Sequence, residues 1–331
     1  MIAMPLFPEE QWYLSMVKKY AVDGRYTNEE KIEEELTKYD VLLSSVISEK
    51  DFEPDNLGKT LFEKLILASY DELEKLEIRL RPIAETVFFE MKKTSSGEYK
   101  RVIKLEWEKI YKLYDKLVNR GVNTKMIQKY GIKCCPYCNE NYIFNRRISS
   151  GKKYAMAQLD HYYSRDKFPI FSVSLYNLVP SCSSCNHIKS ANDIGISPHN
   201  RKYDFSKMHI SYLPNSGDYI NDEKEIEIEF QYDNEESDFP ELMEKNLDAM
   251  GIKEAYNMHK DYLLEILRKG QIYSAEQRES IMQDFPDLFS SDEELIRTIF
   301  GNYIREEELL KRPLSKLTRD ILEELGLISN I

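Results

Sequence analysis

All five cysteines of this 331-residue chain lie between positions 134 and 185, and four of them stand in two CxxC pairs, Cys135/Cys138 and Cys182/Cys185. That clustering constrains the middle of the chain more than any other feature. A secreted disulfide framework spreads its cysteines, whereas clustered pairs in a reducing compartment suit a metal. The two-residue spacer lets both sulfurs of a pair bend toward one ion across a tight turn. Two such pairs therefore predict four thiolates on one structural, tetrahedral Zn²⁺. The ion would staple a loop-rich segment that has little core of its own. Cys134 is left as a spectator beside the first ligand.

The balance of 42% hydrophobic and 31% charged residues is that of a soluble globular protein. No apolar run approaches the roughly 20 residues a membrane helix needs. The start of the chain lacks the basic flank and apolar stretch of a signal peptide, so a cytoplasmic protein with no membrane partner is expected. The net charge of −12 argues against nucleic-acid binding by the whole surface. Residues 131–205, however, hold ten Lys/Arg against five Asp/Glu. A basic island in an acidic chain suits a phosphate-binding site.

The expected fold class is mainly α, with a small α+β, zinc-stapled module at 131–205. It is flanked by a helical region at 1–130 and by a short β segment followed by helices at 206–331. Leu61, Leu65, Leu67, Ala68, Leu73, Leu76 and Ile78 roughly follow a 3.6-residue period that ends near Pro82. A second helix is predicted over about 98–119, with Ile103, Trp107, Ile110, Leu113 and Leu117 on one face and a Thr-Ser-Ser-Gly turn at 94–97 before it. Strict alternation at 225–232 predicts an edge strand or hairpin arm. The acidic stretch 233–241 reads as a solvated loop, Ser291 and Glu294 as a capping box, and Ser315 as the cap of the last helix.

Chemistry concentrates inside the cysteine loop. Asp160 and His161 are adjacent, Asn177 opens the run into Cys182, and Cys185 leads directly into Asn186, His187 and Lys189. The order is Asp-His, then Asn, then CxxC-Asn-x-x-Lys. It closely resembles the motif of HNH endonucleases, the ββα-metal nucleases. The surrounding sequence, LDHYYSRDKFPIFSVSLYNLVPSCSSCNHIKS, is similar to PtuB-type HNH nucleases of bacterial Septu-like anti-phage systems.

The resemblance implies a treble-clef-like frame: Asp160 and His161 on a first strand, Asn177 opening a second, and a helix over 183–190. It implies hydrolysis of nucleic-acid phosphodiesters, DNA by preference, and an ABC/SMC-like ATPase partner in a defence role. His161 takes the part of general base, and Asn177 fixes the loop and orients that base through a hydrogen bond. Asp160 and Asn186 offer hard oxygens to one Mg²⁺ or Mn²⁺. His187 is an alternative second ligand, although the position directly after the cysteine favours Asn186. Side chains alternate along a strand, so Asp160 and His161 are expected on opposite sides. Lys189, Arg165 and Lys167 are candidate phosphate contacts. The basic pairs Arg146/Arg147 and Lys152/Lys153 read either as phosphate contacts or as loop charges. Tyr162 and Tyr163 read either as base-stacking groups or, more ordinarily, as packing. The competing reading keeps the zinc frame without catalysis, as a nucleic-acid reader or interaction subunit, and leaves the Asp160, His161, Asn177 and Asn186 set unexplained.

Overall fold

The computed structural model describes residues 1–22, 29–147, 149, 151, 153–233 and 237–328, which form helices and four two-stranded antiparallel sheets. Helices α1 (Glu10–Ala21) and α2 (Glu29–Leu43) come first. The leucine-rich stretch that reads as one helix is two, α3 (Leu61–Ile66) and α4 (Tyr70–Leu80). Ser69 makes the break. Its hydroxyl accepts from the Glu72 amide at 3.3 Å while the Glu72 carboxylate accepts from the Ser69 amide at 2.7 Å, a closed capping box that restarts the helix. Leu73, Leu76 and Leu80 are buried and Ile78 faces solvent. A short helix α5 (Ala84–Phe88) follows.

The helix expected from position 98 starts later. Residues 89–103 form a hairpin, β1 (Phe89–Lys93) and β2 (Tyr99–Ile103), and α6 (Leu105–Asn119) begins only at Leu105. Tyr99, Val102 and Ile103 favour the pleated strand, and Gly97, at φ 90°, takes the turn geometry that a side chain would resist. The apolar face of Trp107, Ile110, Leu113 and Leu117 is buried as its spacing predicts. Helix α7 (Val122–Tyr130) then leads into the cysteine-rich segment.

That segment contains β3 (Arg146–Arg147) paired with β4 (Lys153–Tyr154), then β5 (Gln158–His161), β6 (Leu178–Ser181) and α8 (Ser183–Lys189). Arg146 and Arg147 are exposed, and Lys152 falls outside the described residues. Next come β7 (Met208–Pro214) and β8 (Ile226–Tyr232), the alternating arm, with Ile226 and Ile228 buried and Glu227 exposed. The acidic stretch is shorter as a loop than expected. Helix α9 (Phe239–Ala249) begins inside it because Phe239 is buried and Pro240 suits a first helical turn.

Helices α10 (Ile252–Asn257), α11 (Lys260–Ile272), α12 (Ala275–Asp284), α13 (Asp292–Phe300) and α14 (Ser315–Glu324) complete the chain. Ser291 caps α13 by accepting from the Glu294 amide, but the return bond from Glu294 goes to the Ser290 amide. Ser315 does not cap α14. Leu314, at φ 58°, holds the cap position, and the Ser315 hydroxyl donates instead to Asn302.

One hydrophobic core runs through all three regions, and the first CxxC turn sits where they meet. The Ile2 amide donates to the Pro136 carbonyl at 2.8 Å, and Tyr256 donates to the Cys138 carbonyl at 2.7 Å. Asn139 donates to the Leu309 carbonyl at 2.9 Å and accepts from the Lys316 amide at 3.0 Å.

His199 adds an acid-sensitive element to this core. Its Nε2 donates to the Leu178 carbonyl, its Nδ1 has no partner, and burial lowers its pKa from 6.5 to about 4. The unfolded chain takes up this proton below pH 6.5, and the folded chain resists it until about pH 4. Stability is therefore complete above the upper value and falls as pH drops through the window, by up to about 3 kcal/mol. Urea unfolding across that range should show a shallower pH dependence in His199→Gln than in wild type. Identical slopes would remove His199 from the effect.

Candidate metal centre and catalytic pocket

Cys135, Cys138, Cys182 and Cys185 are all buried, and their sulfurs lie within 4.8 Å of one another. The Cys138 and Cys182 sulfurs are 4.0 Å apart. Tetrahedral zinc with Zn–S bonds of about 2.3 Å requires about 3.8 Å between sulfurs, so the donor set fits. Backbone amides already point at these atoms: Glu140 N donates to Cys138 and Cys185 N donates to Cys182, each at 3.4 Å. Such donors favour thiolate over thiol. Within the cluster the hydrogen bonds with Cys135 hold the Cys138 and Cys182 thiols down, while burial pushes the Cys135 thiol up and its sulfur neighbours push the Cys185 thiol up, so without a cation the four sulfurs do not all ionise together. The four cysteines can therefore hold a metal such as zinc. Cys134 stands outside the cluster, buried, with its thiol pushed up to about 12 by that burial.

Cys182 is both a member of the cluster and the N-cap of α8, so the cluster fixes where that helix starts. β5 and β6 pair with Asp160 opposite Val179 and His161 opposite Leu178. Pro180 is tolerated because the sheet has only two strands. The result is a hairpin followed at once by a short helix.

Asp160, His161, Asn186 and His187 line one open cavity of about 340 Å³, together with Arg165 and Tyr114 from α6. The expected separation of Asp160 from His161 is only partly met. The strand ends at His161, and both residues line the same cavity. Asn186 donates its amide to Gln158 at 2.6 Å, which leaves its carbonyl oxygen as a donor atom for a cation. His187 is exposed on the same rim, so the cavity receives both candidate ligands.

Asp160 is 3% exposed and fully engaged on one side. Tyr137, from inside the first CxxC turn, donates to Oδ2 at 2.7 Å. The Lys189 ammonium lies 3.1 Å from Oδ2 and 3.2 Å from Oδ1. Burial raises the Asp160 carboxyl above its usual range, and Lys189 and Tyr137 oppose that rise.

The His161 Nε2 lies 2.9 Å from the Ser172 carbonyl. A carbonyl only accepts, so Nε2 carries the proton and Nδ1 keeps its lone pair. The imidazole packs edge-on against Tyr114, with ring centroids 4.4 Å apart. Burial pushes its pKa down to about 3, which keeps it neutral.

The Asn177 side chain makes no hydrogen bond to His161 among the described residues. It accepts from the Tyr163 amide and donates to the carbonyls of Tyr163 and Phe171. It ties both ends of the loop between β5 and β6, and Ser172 rides on that loop. The geometry suits the loop-fixing role expected of Asn177, but the hydrogen bond expected from Asn177 to His161 is not made; the imidazole is held by the Ser172 carbonyl instead.

Of the three candidate phosphate contacts, only Arg165 faces the cavity. Its guanidinium stacks on Tyr111 and Tyr114, 4.6 and 4.9 Å from their centroids, and pairs with Asp115 at 3.0 Å. Lys167 turns away to Asp193, also at 3.0 Å. Lys189 is 0% exposed and cannot meet a phosphate; helix spacing placed it on the Asn186 side of α8, but its own side chain runs inward to Asp160 while Asn186 stays at the cavity. Tyr162 and Tyr163 are buried packing groups. Sequence reasoning missed Tyr137, Tyr114 and the Ser172 carbonyl. Tyr137 was visible only as the variable residue of a CxxC, and a backbone carbonyl has no sequence signal.

A second cluster, His209, Asp320 and Glu323, also has ligand atoms within 4.8 Å. Each already has a partner: His209 Nε2 lies 2.9 Å from Asp233, Asp320 pairs with Lys316, and Glu323 pairs with Arg319. It reads as an ion-pair network that fastens α14 to β7. Compared with protein-family models, curated proteins and solved structures, the chain matches none. No helix among the described residues is long and apolar enough to cross a membrane.

Proposed function

We propose that this chain is a metal-dependent endonuclease of the HNH type, with β5, β6 and α8 as its ββα-metal element. The convergence of Asp160, His161 and Asn186 on one open cavity beside the cysteine cluster carries the reading. Asp160 and Asn186 would hold one Mg²⁺ or Mn²⁺, which would polarise the scissile phosphate and stabilise the leaving oxygen. His161 Nδ1 would take a proton from water as the water oxygen attacks phosphorus and the bond to the leaving sugar oxygen breaks. The Ser172 carbonyl holds that imidazole, Asn177 ties the loop that carries Ser172, and Arg165 offers a cation to a phosphate at the rim.

A DNA substrate, an ABC/SMC-like ATPase partner and an anti-phage role belong to this proposal through the resemblance of the motif region. Co-purification with such an ATPase tests the partnership. Plasmid nicking with Mg²⁺ or Mn²⁺ tests the chemistry. His161→Ala should lose cleavage by about a hundredfold or more while keeping its fold and zinc content. Equal cleavage by both proteins would remove His161 from the mechanism.

A further inference from the structure

We infer that the β1–β2 hairpin is a nucleic-acid contact arm serving the catalytic pocket, an inference that rests on the nuclease reading above. In this acidic chain the hairpin is locally basic, with Lys92, Lys93, Lys100 and Arg101 against Glu90 and Glu98. Its register sets Lys92 directly opposite Lys100. Like charges facing each other across a strand pair are destabilising, and nothing in the fold requires them there. Lys92 leans on Glu90 at 2.9 Å, but Lys93 and Lys100 have no ion-pair partner among the described residues. A polyanion is the partner that would relieve the repulsion.

The arm is anchored beside the cavity. Arg101 donates to the Asp166 carbonyl at 3.1 Å, and Asp166 lines the cavity. Arg101 is itself fixed by Glu85 at 2.7 Å and by stacking on Phe89 at 3.4 Å. Strand alternation puts Tyr99 and Lys93 on the Arg101 face, one step further from that anchor. Tyr99 is 67% exposed and Met91, beside it, 59%. On that face the exposed Tyr99 ring stands directly opposite the unpaired Lys93, while Lys100 faces Lys92 on the other side of the ribbon; an exposed ring beside an unpaired lysine is the combination that binds a strand, with a base on the ring and a phosphate on the ammonium group. Arg165 and Tyr111 continue the same chemistry from the Asp166 loop toward His161, since Tyr111 donates to Asp166 at 2.8 Å.

The test measures binding of a labelled single-stranded oligodeoxynucleotide with Mg²⁺ in a His161→Ala background, across a range of salt. The triple variant Lys93→Gln, Tyr99→Ser, Lys100→Gln should bind about tenfold more weakly. Its plot of log affinity against log salt should be shallower by about 1 to 2, because two phosphate contacts are lost. Its melting temperature should not fall, since all three side chains are exposed. Unchanged affinity and slope beside a His161→Ala parent that binds the oligonucleotide would overturn the arm alone. If neither protein binds the oligonucleotide, the nuclease reading falls together with it.

Discussion

Stripping the metal from the cysteine cluster should unfold this chain rather than merely inactivate it. The first CxxC turn is tied to three separate parts of the molecule. Ile2 donates to it at Pro136, Tyr256 donates to it at Cys138, and Asn139 binds both Leu309 and the start of α14. The second pair opens α8, whose far end carries Lys189 into the core. Without a cation, four buried sulfurs would crowd one another, and thiols would replace the thiolates that the surrounding amides favour. Structural zinc contributes about 10–16 kcal/mol in small zinc-dependent folds, against a net stability of about 5–15 kcal/mol for an ordinary domain. Loss of the ion should therefore exceed what the helical core can sustain. Chelation of the wild type, or Cys135→Ser, should release about one zinc per chain and abolish the cooperative thermal transition seen by circular dichroism. A metal-free protein that melts cooperatively at the original temperature would show the cluster to be dispensable.

The sequence made this cluster legible because ligand spacing is a local property. Each pair needs only a tight turn, and the motif order from Asp160 to Asn186 then fixes which strands and helix adjoin it. Patterns with a single period were also readable: the alternation in β8 and the buried face of α6 both appear as expected. Conflicts between neighbouring signals were harder. Ser69 divides an apolar run that looks continuous, and Gly97 turns into a hairpin a stretch whose leading residues look like a helix start. The direction of Lys189 was not legible at all. Helix spacing places it near Asn186, but whether it meets phosphate or a buried carboxylate depends on how β5 crosses beneath α8. Tyr137 was hidden for the same reason, since its partner Asp160 lies 23 residues away.

Lys189→Met should consequently behave as a core mutation, not a substrate-binding one. The wild-type ammonium is fully enclosed, bridges both oxygens of Asp160, and also donates to the His161 carbonyl at 2.8 Å. Removing it leaves a buried carboxylate with Tyr137 as its remaining partner. Breaking one side of a buried ion pair costs about 3–5 kcal/mol, far more than the median exposed pair contributes. Asp160 already sits above its usual pKa through burial, and loss of the neighbouring cation pushes it further up. The folded variant then holds a proton that the unfolded chain releases, so the variant should regain stability as pH falls toward the carboxylate range. Two companion measurements separate charge from packing. Adding Asp160→Asn should recover most of the loss, because the uncompensated charge is gone. Mn²⁺ should raise the melting temperature of Lys189→Met more than that of the wild type, since a divalent cation on Asp160 would replace the missing positive charge. A loss below about 1 kcal/mol in urea unfolding would mean that the pair carries little weight. Equal Mn²⁺ responses in the two proteins would count against Asp160 as a metal ligand while leaving its role in the core intact.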